Sequence, residues 1–158
     1  MYRLDLVAEV VRNRADASNE QIASQSSYDD GLSPEISACL GRALAVADGE
    51  GRNGVWLAEQ GLDVVSLDFS PSAQVKAATL ARERGVNIAI ERADVHSWAY
   101  PEAAFDVICE IFTQFSSPAE RAVKWAGMRR ALKPGGLLIL QGYTPKQLDY
   151  GTGGPKQI

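Results

Sequence analysis

The chain has 158 residues, of which 46% are hydrophobic and 23% charged. That is enough for one soluble globular domain with a sizeable core. The net charge of −4 argues against a nucleic-acid surface, which normally carries a basic excess. No apolar run approaches the ~20 residues of a membrane span, and Arg3 and Asp5 interrupt the apolar start where a signal peptide would need an unbroken core. Cys39 and Cys109 form no CxxC pair and read as buried thiols. A reducing, cytoplasmic setting and no metal site are expected.

In chain order, Tyr2, Leu4, Leu6, Val7, Val10 and Val11 have rough helical spacing, and residues 13–32 are polar. Residues 1–32 read as an N-terminal helix and linker, or as a segment that covers a ligand. Residues 33–158 form the main domain. Three Ser-Pro pairs, at Ser33-Pro34, Ser70-Pro71 and Ser117-Pro118, each offer a capping hydroxyl with proline at the first helical position. Glu120 completes a capping box at the third. Helices are predicted at 34–40, 52–60, 71–84 and 118–132, the last burying Ala122, Trp125, Met128 and Leu132. Apolar runs at 43–47, 63–68, 87–91, 105–111 and 136–142 have strand length. Strands of this Val, Ile and Leu content, alternating with helices, predict an α/β fold: a mostly parallel, doubly wound, Rossmann-like sheet.

The first strand stops at Asp48-Gly49-Glu50-Gly51-Arg52-Asn53-Gly54, a match to G-x-G-x-x-G. Glycines there let a ligand approach the backbone, and the helix that follows points free N–H groups at it. Asp68 closes the second strand, where a carboxylate meets a ribose. The pattern predicts a nucleoside-containing cofactor at the carboxyl ends of a sheet with strand order 3-2-1-4-5. Ala93-Asp94-Val95 follows the third strand, placing another carboxylate at the same edge. Phe105 to Phe112 forms the fourth strand, and Leu132-Lys133-Pro134-Gly135-Gly136 a tight turn before the fifth.

This series resembles the class I S-adenosylmethionine-dependent methyltransferases, from about residue 40 to 155. Gly-Glu-Gly-Arg-Asn, Trp-Leu-Ala-Glu and Thr-Gly-Gly-Pro-Lys are similar to a bacterial branch related to tellurite-resistance and thiopurine methyltransferases. The resemblance implies S-adenosylmethionine as cofactor and methyl transfer to a small molecule such as a thiol or chalcogen oxyanion. It implies cofactor contacts from Asp48, Gly49, Gly51, Arg52, Asn53, Asp68, Phe69, Ala93, Asp94, Val95 and Glu110. The chain departs from the family in having Ala45 and Ala47 where an acidic residue and a glycine are usual. It also departs in lacking room after residue 142 for the family's sixth and seventh strands. The fifth strand would then be an open edge, covered by residues 1–12, by missing residues or by a second copy in a homodimer.

Transfer from a sulfonium asks mainly for in-line positioning and desolvation, and needs a base only when the acceptor bears a proton. Glu110, ending the fourth strand, is the candidate catalytic group. Phe112, Gln114 and Tyr143 are candidates for the acceptor pocket, with packing as the alternative. The single histidine, His96, reads as a solvated loop residue before it reads as a base. Trp56 and Trp98 are core or lid residues. Arg52 and Asn53 either hold the methionine carboxylate or serve the helix start. An inactive cofactor- or partner-binding relic is the main alternative. An NAD-type oxidoreductase would leave Asp94 and the Pro-Gly-Gly turn without a role.

Overall fold

A computed structural model describes residues 41–144 and 146–150. The N-terminal segment 1–32, the helix at 34–40, Cys39 and the Thr-Gly-Gly-Pro-Lys string fall outside those residues. Five strands form one parallel sheet: β1 (Arg42–Val46), β2 (Asp63–Asp68), β3 (Ala89–Arg92), β4 (Phe105–Ile111) and β5 (Leu132–Gln141). Their order is β3-β2-β1-β4-β5, as the sequence predicts. Helix α1 (Arg52–Glu59) joins β1 to β2, α2 (Pro71–Glu83) joins β2 to β3, and α3 (Pro118–Ala131) joins β4 to β5. A single turn, α4 (Gln147–Tyr150), follows.

The core lies on both faces of the sheet because β1 and β4 are apolar at nearly every position. On one face Leu44, Val46, Val65, Leu67 and Ile108 pack against Met128 and Ala131 of α3, with Val95, Tyr100 and Phe105. On the other, Ala43, Val64, Val107 and Cys109 pack against Leu57 of α1 and Leu62. Trp98 joins the first cluster, its ring 4.8 Å from that of Tyr100. Trp56 packs beside the second. Both tryptophans therefore serve the core.

Helix α2 starts as its Ser-Pro pair predicts, with Ser70 Oγ accepting from the Ala73 amide. Helix α3 carries the full capping box: Ser117 Oγ accepts from the Glu120 amide, and the Glu120 carboxylate from the Ser117 amide. Its buried face differs from the one expected. Lys124, Gly127, Met128 and Ala131 face inward, while Ala122 and Trp125 do not. Gly127 explains the rotation: a Cβ there would lie 2.4 Å from Tyr100 Cδ2, so that ring sits directly on the helix backbone. The predicted turn before the fifth strand is a bulge. Leu132 pairs with Phe105 and the next pairs resume at Leu137 and Val107, so Lys133 to Gly136 stand opposite Asp106.

Candidate functional site at the carboxyl edge of the sheet

The loop after β1 is built around a buried carboxylate. Asp48 accepts hydrogen bonds from the amides of Asn53 (3.2 Å) and Gly54 (3.1 Å) and from Ser66 Oγ (2.8 Å). Those amides open α1, where uncompensated N–H groups attract negative charge. Asp48 therefore anchors the loop from inside instead of facing a ligand, a correction to its assignment as a direct cofactor contact. Burial pushes its carboxyl above the ordinary range, although these hydrogen bonds oppose the shift. Two glycines are required by close approach. A Cβ on Gly54 would lie 2.4 Å from Asp48 Oδ2, and one on Gly51 would lie 2.7 Å from Ala77 Cβ of α2. Ala47, where glycine is usual, has a φ of 50°, a left-handed conformation that costs a side-chain-bearing residue roughly 1–2 kcal/mol.

Gly49 is different: a Cβ there would meet nothing within 4 Å. Its amide donates to Asp68 Oδ2 at 2.8 Å, and the Ser70 amide donates to Asp68 Oδ1 at 2.8 Å. Two bonds leave an ionised carboxylate with acceptor capacity for two hydroxyls. Phe69 beside it is exposed, with the Arg92 guanidinium 5.8 Å above its ring. Ala93 and Val95 pack into the core below this edge. The open face of Gly49 and the half-buried Asp68 thus fit a ribose-bearing group. Asn53 meets Asp48 through its backbone, and Arg52 reaches Glu50 Oε2 at 3.2 Å, Glu50 also holding Lys76 at 2.7 Å. Both residues open α1, Asn53 engaged through its amide and Arg52 through an exposed pair with Glu50.

Asp94 is committed on one side. Its Oδ1 accepts from the His96 amide at 2.9 Å and stands 2.9 Å from His96 Nδ1.

Beyond the ends of β4 and β5 lies a cavity of ≈ 600 Å³, bounded on the other side by the start of α3. Gln114 and Tyr143 line it. The Gln114 amide makes a two-way clamp, donating to the Tyr143 carbonyl at 2.6 Å and accepting from the Tyr143 amide at 2.7 Å. Phe112, at a φ of 56°, lies against Tyr143 with ring centroids 4.6 Å apart.

Glu110 reaches the inner end of the cavity, but three donors hold it. Thr113 Oγ1 and Lys124 Nζ (2.5 Å) meet Oε1, and Trp125 Nε1 meets Oε2 at 2.8 Å. This corrects its expected catalytic part: the carboxylate is 4% exposed and serves as an anchor for the cavity wall. Lys124, Thr113 and Ser116 were missed in the sequence. Lys124 had a signal, standing three residues before Gly127 and four before Met128 on the apolar line of α3. Cys109 is a buried thiol, pushed up to about 12 by burial first and then by the Asp48 and Glu110 charges.

Among the described residues no three His, Cys, Asp or Glu are grouped to hold a metal ion, and no helix is long and apolar enough to cross a membrane.

Comparison with known proteins agrees with this architecture. No curated protein matches the chain. The PH0226 protein of Pyrococcus horikoshii OT3 is similar in structure, with a TM-score of 0.58 at 24% identity, covering 80% of this chain and 56% of its own. At that identity the likeness speaks for the fold. An S-adenosylmethionine-dependent methyltransferase of Mesorhizobium loti matches with a TM-score of 0.54 at 26% identity, over 61% of this chain and 43% of its own. One of Methanosarcina mazei matches with a TM-score of 0.56 at 27% identity, over 62% and 51%. The chain thus spans about half the length of these structures. A family model described as a methyltransferase domain matches residues 43–136. S-adenosylmethionine is the cofactor that this family implies, and the chain belongs to the methyltransferase-domain family.

Proposed function

We propose that this protein binds S-adenosylmethionine at the Gly49–Asp68 edge and transfers its methyl group to a small molecule held in the neighbouring cavity. The observation that carries the reading is the juxtaposition at one sheet edge of a ribose-type carboxylate beside an open glycine and a walled cavity. Asp68 would hold the ribose hydroxyls, and the Gly49 backbone would leave room for the cofactor. Ala93 and Val95 would floor the adenine, and Asp94 Oδ2 remains to meet it. The cofactor supplies an electrophilic methyl carbon on a sulfonium, which becomes a neutral thioether when the methyl leaves. The protein's part is to align an acceptor with that carbon and keep water out. Gln114, through its clamp on Tyr143, fixes the cavity wall, and Phe112 supports the Tyr143 ring.

The tellurite- and thiopurine-type resemblance favours an acceptor centred on sulfur or another chalcogen. A cytoplasmic setting, where Cys109 stays reduced, and a homodimer paired through β5 belong to the same proposal. Calorimetric titration with S-adenosylmethionine, S-adenosylhomocysteine and NAD tests it. Saturable heat from the first two alone is expected. Heat from NAD alone would overturn it in favour of a dinucleotide enzyme, and heat from none would favour a relic that binds partners.

A further inference from the structure

A continuous line of polar contacts runs from the cofactor edge to the wall of the acceptor cavity. Asp94 Oδ1 meets His96 Nδ1 at 2.9 Å, and His96 Nε2 meets Ser116 Oγ at 2.8 Å. Ser116 Oγ meets Lys124 Nζ at 3.1 Å, and Lys124 pairs with Glu110. Ser116 lines the cavity. The Asp94–His96 step is a local turn, but the His96–Ser116 and Ser116–Lys124 steps join the loop after β3, the loop after β4 and α3.

A lysine ammonium can only donate, so Lys124 donates to Ser116 Oγ, which retains a hydrogen and a second lone pair. With the Ser116 hydrogen directed at His96 Nε2, the ring proton sits on Nδ1 beside Asp94.

We propose that Ser116 and His96 form the proton exit of the acceptor cavity, and that the acceptor is a protic small molecule, X–H, as in a thiol, selenol, phenol or amine. This rests on the methyl-transfer reading above. As X bonds to the methyl carbon, the X–H bond breaks and its electron pair stays on X. The proton passes to Ser116 Oγ while the Ser116 proton passes to His96 Nε2, which leaves imidazolium balanced by Asp94. The imidazole, 20% exposed, then returns the proton to water. An acceptor that is already a bare anion would need no such line, and Glu110, held by three donors, cannot provide it.

The charged groups facing His96 are Asp94 on its own loop, Glu120 at the start of α3, and Lys124 through Ser116. Phe115 packs its ring edge-on at 5.7 Å. Ser116 would be the group that touches substrate, and Asp94 a positioning residue.

Because the chain has a single histidine, long-range proton–nitrogen NMR of the untagged, histidine-labelled protein reads this site alone. The expected spectrum is that of the Nδ1–H tautomer; an Nε2–H tautomer, or the rapid mixture of free imidazole, would overturn the line. Asp94→Asn should lose the fixed tautomer. In turnover of thiophenol, phenol and aniline, followed by S-adenosylhomocysteine release, His96→Gln and Ser116→Ala should lose on the order of a hundredfold in kcat/KM. Ser116→Thr should retain most of it. Wild-type rates in both variants, or turnover of none of the three acceptors with cofactor bound, would sink the proton exit. Absence of cofactor binding by calorimetry would instead sink the methyl-transfer reading, leaving the tautomer result to stand or fall separately.

Discussion

At the level of single residues, three carboxylates that look alike in the sequence do different work. Asp68 is half-buried and held by two amides with capacity to spare. Asp68→Ala should weaken S-adenosylmethionine binding by roughly 1–3 kcal/mol, since two hydroxyls lose a charged acceptor. Unchanged affinity by calorimetry in a folded variant would make Asp68 purely a loop anchor. Asp48 is buried, and its carboxyl is raised above its ordinary 3.8 mainly by desolvation. A group with a raised folded-state value binds its proton more tightly in the native state. Its contribution is therefore fully present below the unfolded value and is lost as pH rises through the folded one. Asp48→Asn is nearly isosteric and does not titrate. Thermal melts of the two proteins should show the wild type losing ground to the variant as pH rises above 3.8. A difference that stays flat with pH would show that the hydrogen bonds cancel the burial. Glu110, by contrast, shows how a strand-end acid that suits chemistry on paper can be consumed by its neighbours.

Among elements, α3 carries the largest share of the candidate site, since Ser117, Lys124 and Trp125 all belong to its start or first turns. Its position depends on Gly127 lying against Tyr100, whose hydroxyl is tied to the Val95 carbonyl at 2.9 Å and cannot swing aside freely. Gly127→Ala should cost roughly 1–3 kcal/mol by overpacking, seen as a lower denaturation midpoint. A Tm equal to wild type would mean the helix can slide without loss. This element also shows what could be read from the sequence. Its start was legible because Ser117, Pro118 and Glu120 act on amides within one turn. Its inward face was not. Ala122, Trp125, Met128 and Leu132 have sound helical spacing, but the choice went to Lys124, whose partner Glu110 lies on another element. The same division runs through the loop after β1: the glycine pattern marked it, while the inward turn of Asp48 depended on Ser66 across the sheet. Strand order was legible from the nucleotide-site pattern and the family resemblance, since apolar strands alone suit either common doubly wound order.

At the scale of the sheet, the outermost strand on one side among the described residues is β5, where Leu138 and Leu140 are 40% and 52% exposed. Among the described residues no strand pairs with its outer side. Open apolar edges attract pairing, so sedimentation should show concentration-dependent dimers, and Leu140→Lys should shift them to monomer. A monomer at all concentrations would mean that the edge needs no second copy. The loop around Asp48 bears on the molecule differently. Its amides are already engaged by Asp48 and Asp68, so binding need not organise it. Hydrogen exchange at Asn53 and Gly54 should therefore be slow before any ligand is added, and little slower afterwards. Capture then carries a small ordering cost, and affinity should depend on the groups the ligand touches more than on any rearrangement of the protein around it.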